Sequence, residues 1–237
     1  MKTLRSISPV ITAAAASLAA LSSHAATQPC PSSIDPSQFV SRIDNPYFPL
    51  VPGTTFFYEG QKDGIPARDE FFVTKDVKKI LGVTTTVIRD RAFENNQLVE
   101  ETFDWFAQDV DGNVWYFGED ATEFQNGVPV SHEGSWEAGV NGAMPGIVME
   151  ANPRVGDSYK QECAAGVAED EAKVQSVNKS LCVRYGCFDD VVQTRETSPL
   201  DPHVVELKYY APDVGFIQGD MVKGGSEHTE LVSISKK

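Results

Sequence analysis

The chain has 237 residues and a formal net charge of −14 at pH 7, with 41% hydrophobic and 10% aromatic residues. A surface this acidic repels nucleic-acid phosphates and anionic membranes, so we expect no nucleic-acid partner. No segment reaches the roughly 18 to 20 apolar residues that a membrane-spanning helix requires, so we predict no transmembrane segment.

Residues 1–26 have the features of a secretory signal peptide. Lys2 and Arg5 give a positively charged start, and an alanine-rich apolar run follows over residues 11–21. Small residues then offer cleavage near residue 25 or 26. Loss of both basic residues changes the formal charge from −14 to −16. The sequence therefore predicts a secreted or periplasmic protein with an acidic surface.

Export makes disulfide bonds possible for the four remaining cysteines. Cys182 and Cys187 lie opposite each other if Arg184-Tyr185 forms the turn between them, whereas a turn at Tyr185-Gly186 would offset them. Of the three possible connectivities we favour Cys182–Cys187 with Cys30–Cys163. The second bond would tie the N-terminal arm to the body. The C-x4-C spacing, with no histidine nearby, does not match a zinc site.

Residues 27–53 are predicted to form an extended arm, because prolines at positions 46, 49 and 52 remove backbone donors and restrict the residues before them. We expect Tyr47, Phe48 and Leu50 to plug one end of the core. Residues 54–237 are predicted to form a single β domain.

Short segments rich in β-branched and aromatic residues follow one another after residue 54, with turn signals between them. This spacing suits a sandwich, an open meander or a barrel. We predict an all-β fold, a single antiparallel, strongly curved sheet or barrel. Residues 131–153 are rich in glycine but also carry apolar residues, so we expect an ordered loop over one end of the sheet.

The centre of the domain is a predicted hairpin over residues 103–119, turning at Val110-Asp111-Gly112. If Asp109 pairs with Asn113, strand alternation divides the side chains between two faces. The expected core face carries Phe103, Trp105, Trp115 and Phe117. The other face is mixed and is a candidate cavity wall, with Asp104, Phe106, Gln108, Val114 and Tyr116.

The turn of this hairpin, Asp109-x-Asp111-Gly112-Asn113, resembles the start of a calcium loop. The flanking residues read as strands and not as helices, so we favour a structural turn and predict no metal. Asp109, Asp111 and Asn113 are the metal-ligand candidates that this turn offers. The sequence contains no phosphate loop, dinucleotide fingerprint or haem motif, and we predict no cofactor.

Serine-hydrolase chemistry is not indicated, because the chain has no G-x-S-x-G motif. Carboxylates are the remaining catalytic candidates, since burial in an apolar pocket can make them acids or bases. The candidates are Asp104, Glu162 and Asp170.

Aromatic residues give the clearest signal for ligand binding, since aromatic side chains suit apolar or sugar-like ligands. The same residues could instead fill the core of a large β domain. The candidates are Trp105, Trp115, Tyr116, Trp136, Tyr209 and Tyr210.

Four stretches resemble a group of secreted, largely uncharacterised microbial β-rich proteins. They are NPYFPLVPGTTFFYEG at 45–60, DWFAQDVDGNVWYFGED at 104–120, GSWEAGVNGAMPGIVM at 134–149 and YYAPDVGFI at 209–217. The resemblance implies one exported domain and supplies no activity. The last stretch is also similar to late strands of periplasmic lipoprotein-carrier-like open barrels.

From these features we expect a binding protein for a small apolar or amphipathic molecule, held in an aromatic-lined β cavity. One alternative is a carboxylate-dependent lyase, isomerase or hydrolase acting in the same cavity. Another is an extracytoplasmic structural or interaction module, which would present a flat aromatic patch. The sequence does not indicate an oligomeric state.

Overall fold

The computed structural model describes residues 27–236; the predicted signal peptide over 1–26 lies outside the described residues. Within that range the chain forms sixteen strands and one single-turn 3₁₀ helix at Pro36–Gln38, which begins after the capping side chain of Asp35. The strands, in chain order, are β1 (Phe39–Val40), β2 (Thr54–Lys62), β3 (Ile65–Ile80), β4 (Val83–Glu94), β5 (Gln97–Asp109), β6 (Val114–Gln125), β7 (Val128–Ser131), β8 (Trp136–Glu137), β9 (Met144–Met149), β10 (Ser158–Lys160), β11 (Glu162–Cys163), β12 (Glu171–Val183), β13 (Gly186–Thr197), β14 (Val205–Ala211), β15 (Gly215–Lys223) and β16 (Glu227–Lys236).

The strands form a single antiparallel sheet that curves into a nearly closed barrel, as predicted. Its order is β10-β12-β13-β14-β15-β16-β2-β3-β4-β5-β6-β9-β11. The two ends of this order, β10 and β11, are separated in the chain only by Gln161. Residues 158–163 therefore pair with β12 on one side and with β9 on the other, and this continuous segment closes the sheet.

The N-terminal arm closes one end of the barrel. Ile43 and Leu50 are buried, and the backbone N–H of Leu50 donates to the carbonyl oxygen of Ile43 at 3.1 Å. The ring of Phe48 lies 5.3 Å from that of Phe106 and 6.4 Å from that of Tyr210. The arm thus plugs the end at which β5 ends and β6 begins, as expected for Phe48 and Leu50.

Residues 131–153, expected to form an ordered loop over one end of the sheet, are in part strand. They contain β8 and β9, and both pair with β6. Two glycines permit this close packing. A Cβ atom would lie 2.2 Å from the carbonyl oxygen of Trp136 at Gly118, and 2.4 Å from that of Gln161 at Gly146. These glycines allow the backbones of neighbouring strands to approach closely. In the sequence, glycines with this role look the same as glycines in a loop.

The register of the central hairpin is partly as predicted. Ala107 pairs with Trp115, but a bulge then shifts the register by one residue, so Asp104 pairs with Glu119. Trp105 lies at this bulge and does not form the simple pair with Phe117 that was predicted. The expected core face is also divided, because Phe117 is buried whereas Phe103 is 38% exposed.

Both predicted disulfide bonds are present. Cys182 and Cys187 lie directly opposite each other in the hairpin of β12 and β13. Cys30–Cys163 joins the arm to β11, the segment that completes the barrel, across 133 residues. These bonds are typical of an extracytoplasmic protein. Across residues 27–236, no helix is both long enough and apolar enough to cross a membrane.

Removing the long-range disulfide should destabilise the protein more than removing the short-range one, because the unfolded chain gains more freedom when a longer loop opens. The chain-entropy relation gives about 5 kcal/mol for Cys30→Ala/Cys163→Ala and about 2 kcal/mol for Cys182→Ala/Cys187→Ala. Urea unfolding of the two double variants measures both losses side by side. A larger loss for the Cys182–Cys187 pair would contradict the closing role of Cys30–Cys163.

Candidate functional site

The barrel interior is layered because alternate side chains of each strand point inward. On β3 the inward residues pass from Asp69 to Phe71 and then to Val73, going from the open end of the barrel to the end plugged by the arm. On β14 they pass from Glu206 to Lys208 and then to Tyr210 in the same direction. The interior therefore changes from charged at the open end to aromatic at the plugged end.

A cavity of about 220 Å³, called here the lumen pocket, occupies the boundary between these layers. Its apolar wall combines the arm with five strands, β2, β3, β9, β14 and β15, and two carboxylates, one amide and one ammonium group complete it. The residues that define the lumen pocket are Phe48, Pro49, Leu50, Phe56, Tyr58, Asp69, Phe71, Asp90, Val148, Gln161, Lys208, Tyr210, Val214, Gly215 and Phe216.

Each of four consecutive strands contributes an inward carboxylate to one diagonal series. Asp69 is on β3, Asp90 on β4, Asp104 on β5 and Glu119 on β6. The β3–β4 register sets Asp69 opposite Ala92, and the β4–β5 register sets Asp104 opposite Ile88, so each carboxylate is diagonal to Asp90. Because barrel strands are tilted, this diagonal series runs around the wall. We call these four residues the acidic band.

Burial of like charges raises the pKa values in the acidic band. Burial, and then the charge of Asp90, raise the pKa of Asp69 to about 7. Burial raises the pKa of Asp90 to about 6 and that of Glu119 to about 7. The pKa of Asp104 is raised well above its usual value, first by burial and then by Asp90 and Glu119. The band therefore retains protons at pH values where free carboxylates have lost them.

Tyr116 links two members of the band. Its hydroxyl lies 2.7 Å from Oδ1 of Asp104 and 2.9 Å from Oε2 of Glu119. A phenol has one proton to donate, so it serves only one of these carboxylates at a time. The other contact is satisfied when that carboxyl group is protonated and donates to the phenol oxygen. The geometry thus agrees with the raised pKa values.

The ammonium group of Lys208 has partners of its own. Its Nζ lies 2.8 Å from Oε2 of Glu196 and 3.7 Å from Oε2 of Glu206. Burial acts to lower the pKa of Lys208, but Glu196 and Glu206 outweigh burial and raise it well above its usual value. Glu196 is 4% exposed and also accepts from Thr194 at 2.8 Å. Lys208 is therefore neutralised on its own side of the barrel, away from the acidic band.

Two wider cavities lie at the open end of the barrel. One, of about 440 Å³, is lined by carboxylates that include Glu119, Glu162 and Asp170. The other, of about 560 Å³, includes Asp69 in its wall and so adjoins the lumen pocket. Its acidic rim also contains Glu100, Glu123 and Glu227. The path into the aromatic base therefore passes through a negatively charged mouth.

Three buried polar atoms in this region lack a hydrogen-bond partner among the described residues: Oδ1 of Asp90, Nε1 of Trp136 and the hydroxyl of Tyr159. Tyr159 is 1% exposed. It pairs with Ala172, which in turn pairs with Glu196, so the three side chains lie on the same face of the sheet. A buried polar group without a partner costs about 1–3 kcal/mol, so such groups indicate where water or a ligand belongs.

The structure separates the six aromatic residues that the sequence proposed for ligand binding. Tyr210 lines the lumen pocket, and Tyr116 faces the same interior. Trp136 packs edge-on against Tyr116 with ring centres 5.5 Å apart. The other three lie on outward-facing positions of β5, β6 and β14: Trp105, Trp115 and Tyr209.

The outward tryptophans have structural partners. The ammonium group of Lys78 lies 3.2 Å from the ring centre of Trp105. Nε1 of Trp115 donates to Oδ2 of Asp109 at 2.8 Å. Their contacts explain their burial without a ligand.

The turn at Asp109 is held by its own hydrogen bonds. The backbone N–H of Asn113 donates to Oδ1 of Asp109, and the Asn113 amide donates to Oδ2. Asp111 lies exposed in the turn. Within residues 27–236, no group of three or more His, Cys, Asp or Glu side chains has the geometry to hold a metal ion.

The three predicted catalytic candidates lie in one region of the barrel. Glu162 and Asp170 line the 440 Å³ cavity with Glu119, which reaches Asp104 through Tyr116. Burial, and then Asp170, raise the pKa of Glu162 to about 8. Burial also raises the pKa of Asp170.

Sequence reasoning missed Asp69, Asp90 and Lys208, although all three line the lumen pocket. Asp69 and Lys208 each have an aromatic residue at the next inward position of their strand, Phe71 and Tyr210, whereas Asp90 lies between arginines. The alternation of Asp69, Phe71 and Val73 contained this signal. It could not be interpreted until the inward face of β3 was known.

No family model matches the chain, and no curated protein matches its sequence. A protein from Bacteroides fragilis NCTC 9343, described as exported and as having a YmcC-like fold, is similar over 80% of this chain and 99% of its own, with 12% identity and a TM-score of 0.43. A protein from Parabacteroides distasonis ATCC 8503, described as a lipoprotein, is similar over 80% of this chain and 98% of its own, with 12% identity and a TM-score of 0.42.

The acidic band makes stability fall as pH rises. Folded-state pKa values of about 7, 6 and 7 for Asp69, Asp90 and Glu119 exceed the unfolded values near 4. The folded state therefore binds more protons between these limits, and its stability declines from about pH 4 to about pH 7. The melting temperature should be higher near pH 5 than near pH 8.

Glu119→Gln should reduce this pH dependence by about 1–3 kcal/mol, because the amide keeps a contact with Tyr116 and does not titrate. Asp76→Asn, at an exposed position on β3, is the matched control and should leave it unchanged. Thermal unfolding followed by circular dichroism at both pH values measures the effect. A melting temperature that increases from pH 5 to pH 8 would refute the assignment.

Proposed function

We propose that this chain is an exported binding protein that takes a small amphipathic molecule into the lumen pocket. The observation that carries the proposal is the cavity of about 220 Å³ between the plugged aromatic base and the acidic band. Apolar cavities with a few polar groups at one side are typical of small-molecule sites. The apolar part of the ligand would contact Phe56, Phe71 and Phe216, and its polar part would face the open end.

The surroundings of the pocket support a binding role. The arm closes the apolar end through Phe48 and Leu50, so a ligand has one direction of entry. The 560 Å³ mouth cavity shares Asp69 with the lumen pocket and so adjoins that entrance. The exposed large apolar side chains of the described residues are mostly single valines, which suits a molecule that binds within its barrel better than a flat interaction module.

Filling the lumen pocket should abolish binding. Val148 lines the pocket, so Val148→Phe places a ring in the space for the apolar part of the ligand. Val222 is 55% exposed on β15, and Val222→Phe is the matched control. Isothermal titration with octylamine, octanol and octanoate should detect binding of at least one compound to the wild type and to the control, and none to Val148→Phe.

The melting temperature of each variant checks that the fold is intact. The proposed function fails if none of the three compounds binds the wild type. It also fails if Val148→Phe, while folded, binds as tightly as the wild type does.

A second candidate function is acid–base catalysis at the mouth, favoured by the contacts that Tyr116 makes with Asp104 and Glu119. Glu119 has a pKa of about 7, near neutral pH, and it lines the 440 Å³ cavity, so it could exchange a proton with a bound substrate. Such an enzyme would lose turnover in Glu119→Gln and retain it in Asp76→Asn. Retained turnover in folded Glu119→Gln would exclude this role.

A further inference from the structure

Asp69 and Asp90 have no cationic partner, whereas the carboxylates on the opposite wall of the lumen pocket are paired with a lysine. Lys208 is paired with Glu196 and Glu206. Among the described residues, no ion pair reaches Asp69 or Asp90; the backbone N–H of Arg91 serves the Asp90 carboxylate, and Oδ1 of Asp90 has no partner. The nearest lysine on their side, Lys62, lies 3.8 Å from Glu94 at the rim. The pocket thus holds an excess of two carboxylates.

Asp90 points to the position of the missing group. It lines the lumen pocket, and its Oδ1 is fully buried and unpartnered. Asp69 lies directly opposite Tyr58, and Asp90 lies on the neighbouring strand beside Phe71. The two carboxylates therefore border the aromatic base on the side of the open end, where the polar end of a bound molecule would lie.

The chemistry of this position favours an organic cation over a metal ion. The carboxylates of the acidic band follow the wall over four strands instead of converging on one point. Within residues 27–236 they form no cluster that could hold a metal. An ammonium group needs only one or two carboxylates, and the aromatic rings below it stabilise an attached apolar body.

We propose that the ligand of the lumen pocket is a primary amine with an apolar body, whose ammonium group binds Asp69 and Asp90 while the body occupies the aromatic base. This inference rests on the proposed binding function and specifies its ligand class. The acidic mouth would concentrate such a cation at the entrance. The ammonium group would give Oδ1 of Asp90 the donor that the protein does not provide.

The three eight-carbon compounds separate this inference from the proposed function, because they share one tail and differ in the head group. Octylamine should bind the wild type about tenfold to a hundredfold more tightly than octanol, since hydrogen bonds to charged groups are the stronger ones. Octanoate should bind most weakly. Equal or tighter binding of octanol or octanoate would overturn the cation assignment and leave the binding function standing. Absence of all binding would overturn both.

The double variant Asp69→Asn/Asp90→Asn tests the residues themselves. It should remove the advantage of octylamine over octanol and leave octanol affinity unchanged, because the amides keep the shape and lose the charge. Asp76→Asn/Asp111→Asn, which neutralises two exposed aspartates, is the matched control and should retain the advantage. Removing two repelling buried charges should not impair folding, and circular dichroism verifies this. An octylamine advantage that persists in the folded double variant would overturn the proposal.

Octylamine affinity should also fall as pH decreases from about 8 to about 5. The pKa values of Asp69 and Asp90, about 7 and 6, place their protonation in this range, whereas the amine stays charged. Octanol affinity should stay constant, and a constant octylamine affinity would contradict the proposal. The other titratable groups around the pair come from β2, β5, β14 and β16, and they are Tyr58, Lys62, Glu100, Asp104, Lys208 and Glu227.

A metal site in the acidic band is the remaining alternative to an ammonium site, and adding calcium distinguishes the two. An ammonium site should keep its octylamine affinity when calcium chloride is added, relative to sodium chloride of the same ionic strength. Displacement of octylamine by calcium alone would show that the acidic band is a metal site and would overturn the proposal.

Discussion

Closure of the sheet by residues 158–163 is the constraint on which the rest of the structure depends. Because β10 pairs with β12 and β11 pairs with β9, alternate side chains of all the barrel strands share one interior. That interior must be filled, plugged or left as a cavity. The arm fills one end, the aromatic layer occupies the middle, and the carboxylates line the part that stays open.

The enclosed interior also determines the electrostatics. Asp69, Asp90, Asp104 and Glu119 occupy ordinary strand positions that would be solvated on an open sheet. Inside the barrel they are buried near one another, and both effects raise their pKa values. Burying like charges is unfavourable, so the protein stabilises itself by keeping protons in this region. The same carboxylates, once they are ionised, are what a cationic ligand would neutralise.

Lys208 and the acidic band illustrate how pairing differs across one cavity. Glu196 accepts from Lys208 and Thr194, and its two oxygens are both occupied. Asp90 has an oxygen without a partner, although it lines the same pocket. One wall of the pocket therefore carries a neutralised ion pair, and the opposite wall carries an unpaired carboxylate, so the two walls differ in charge. This difference in charge, together with the aromatic base, leads to the proposed orientation of an amphipathic amine.

The sequence by itself determined the local features of this protein. Alternating β-branched and aromatic residues predicted the strands, and the turn residues predicted the central hairpin and its Ala107–Trp115 pair. The cysteine spacing allowed the two disulfides that form. The mixed face with Asp104 and Tyr116 was identified as a candidate cavity wall, since charge beside aromatic residues is visible in the alternation itself.

The tertiary structure decided everything that depends on non-local geometry. The bulge between Phe106 and Asp104 shifts the register of β6, and the close backbone contacts at Gly118 and Gly146 turn a predicted loop into strands. The curvature and closure of the sheet decided which face is interior. They place Trp105 and Trp115 on the outer face and bring Asp69, Asp90 and Lys208 together around the lumen pocket. Local patterns report the period of a strand, but not which of its two faces becomes enclosed.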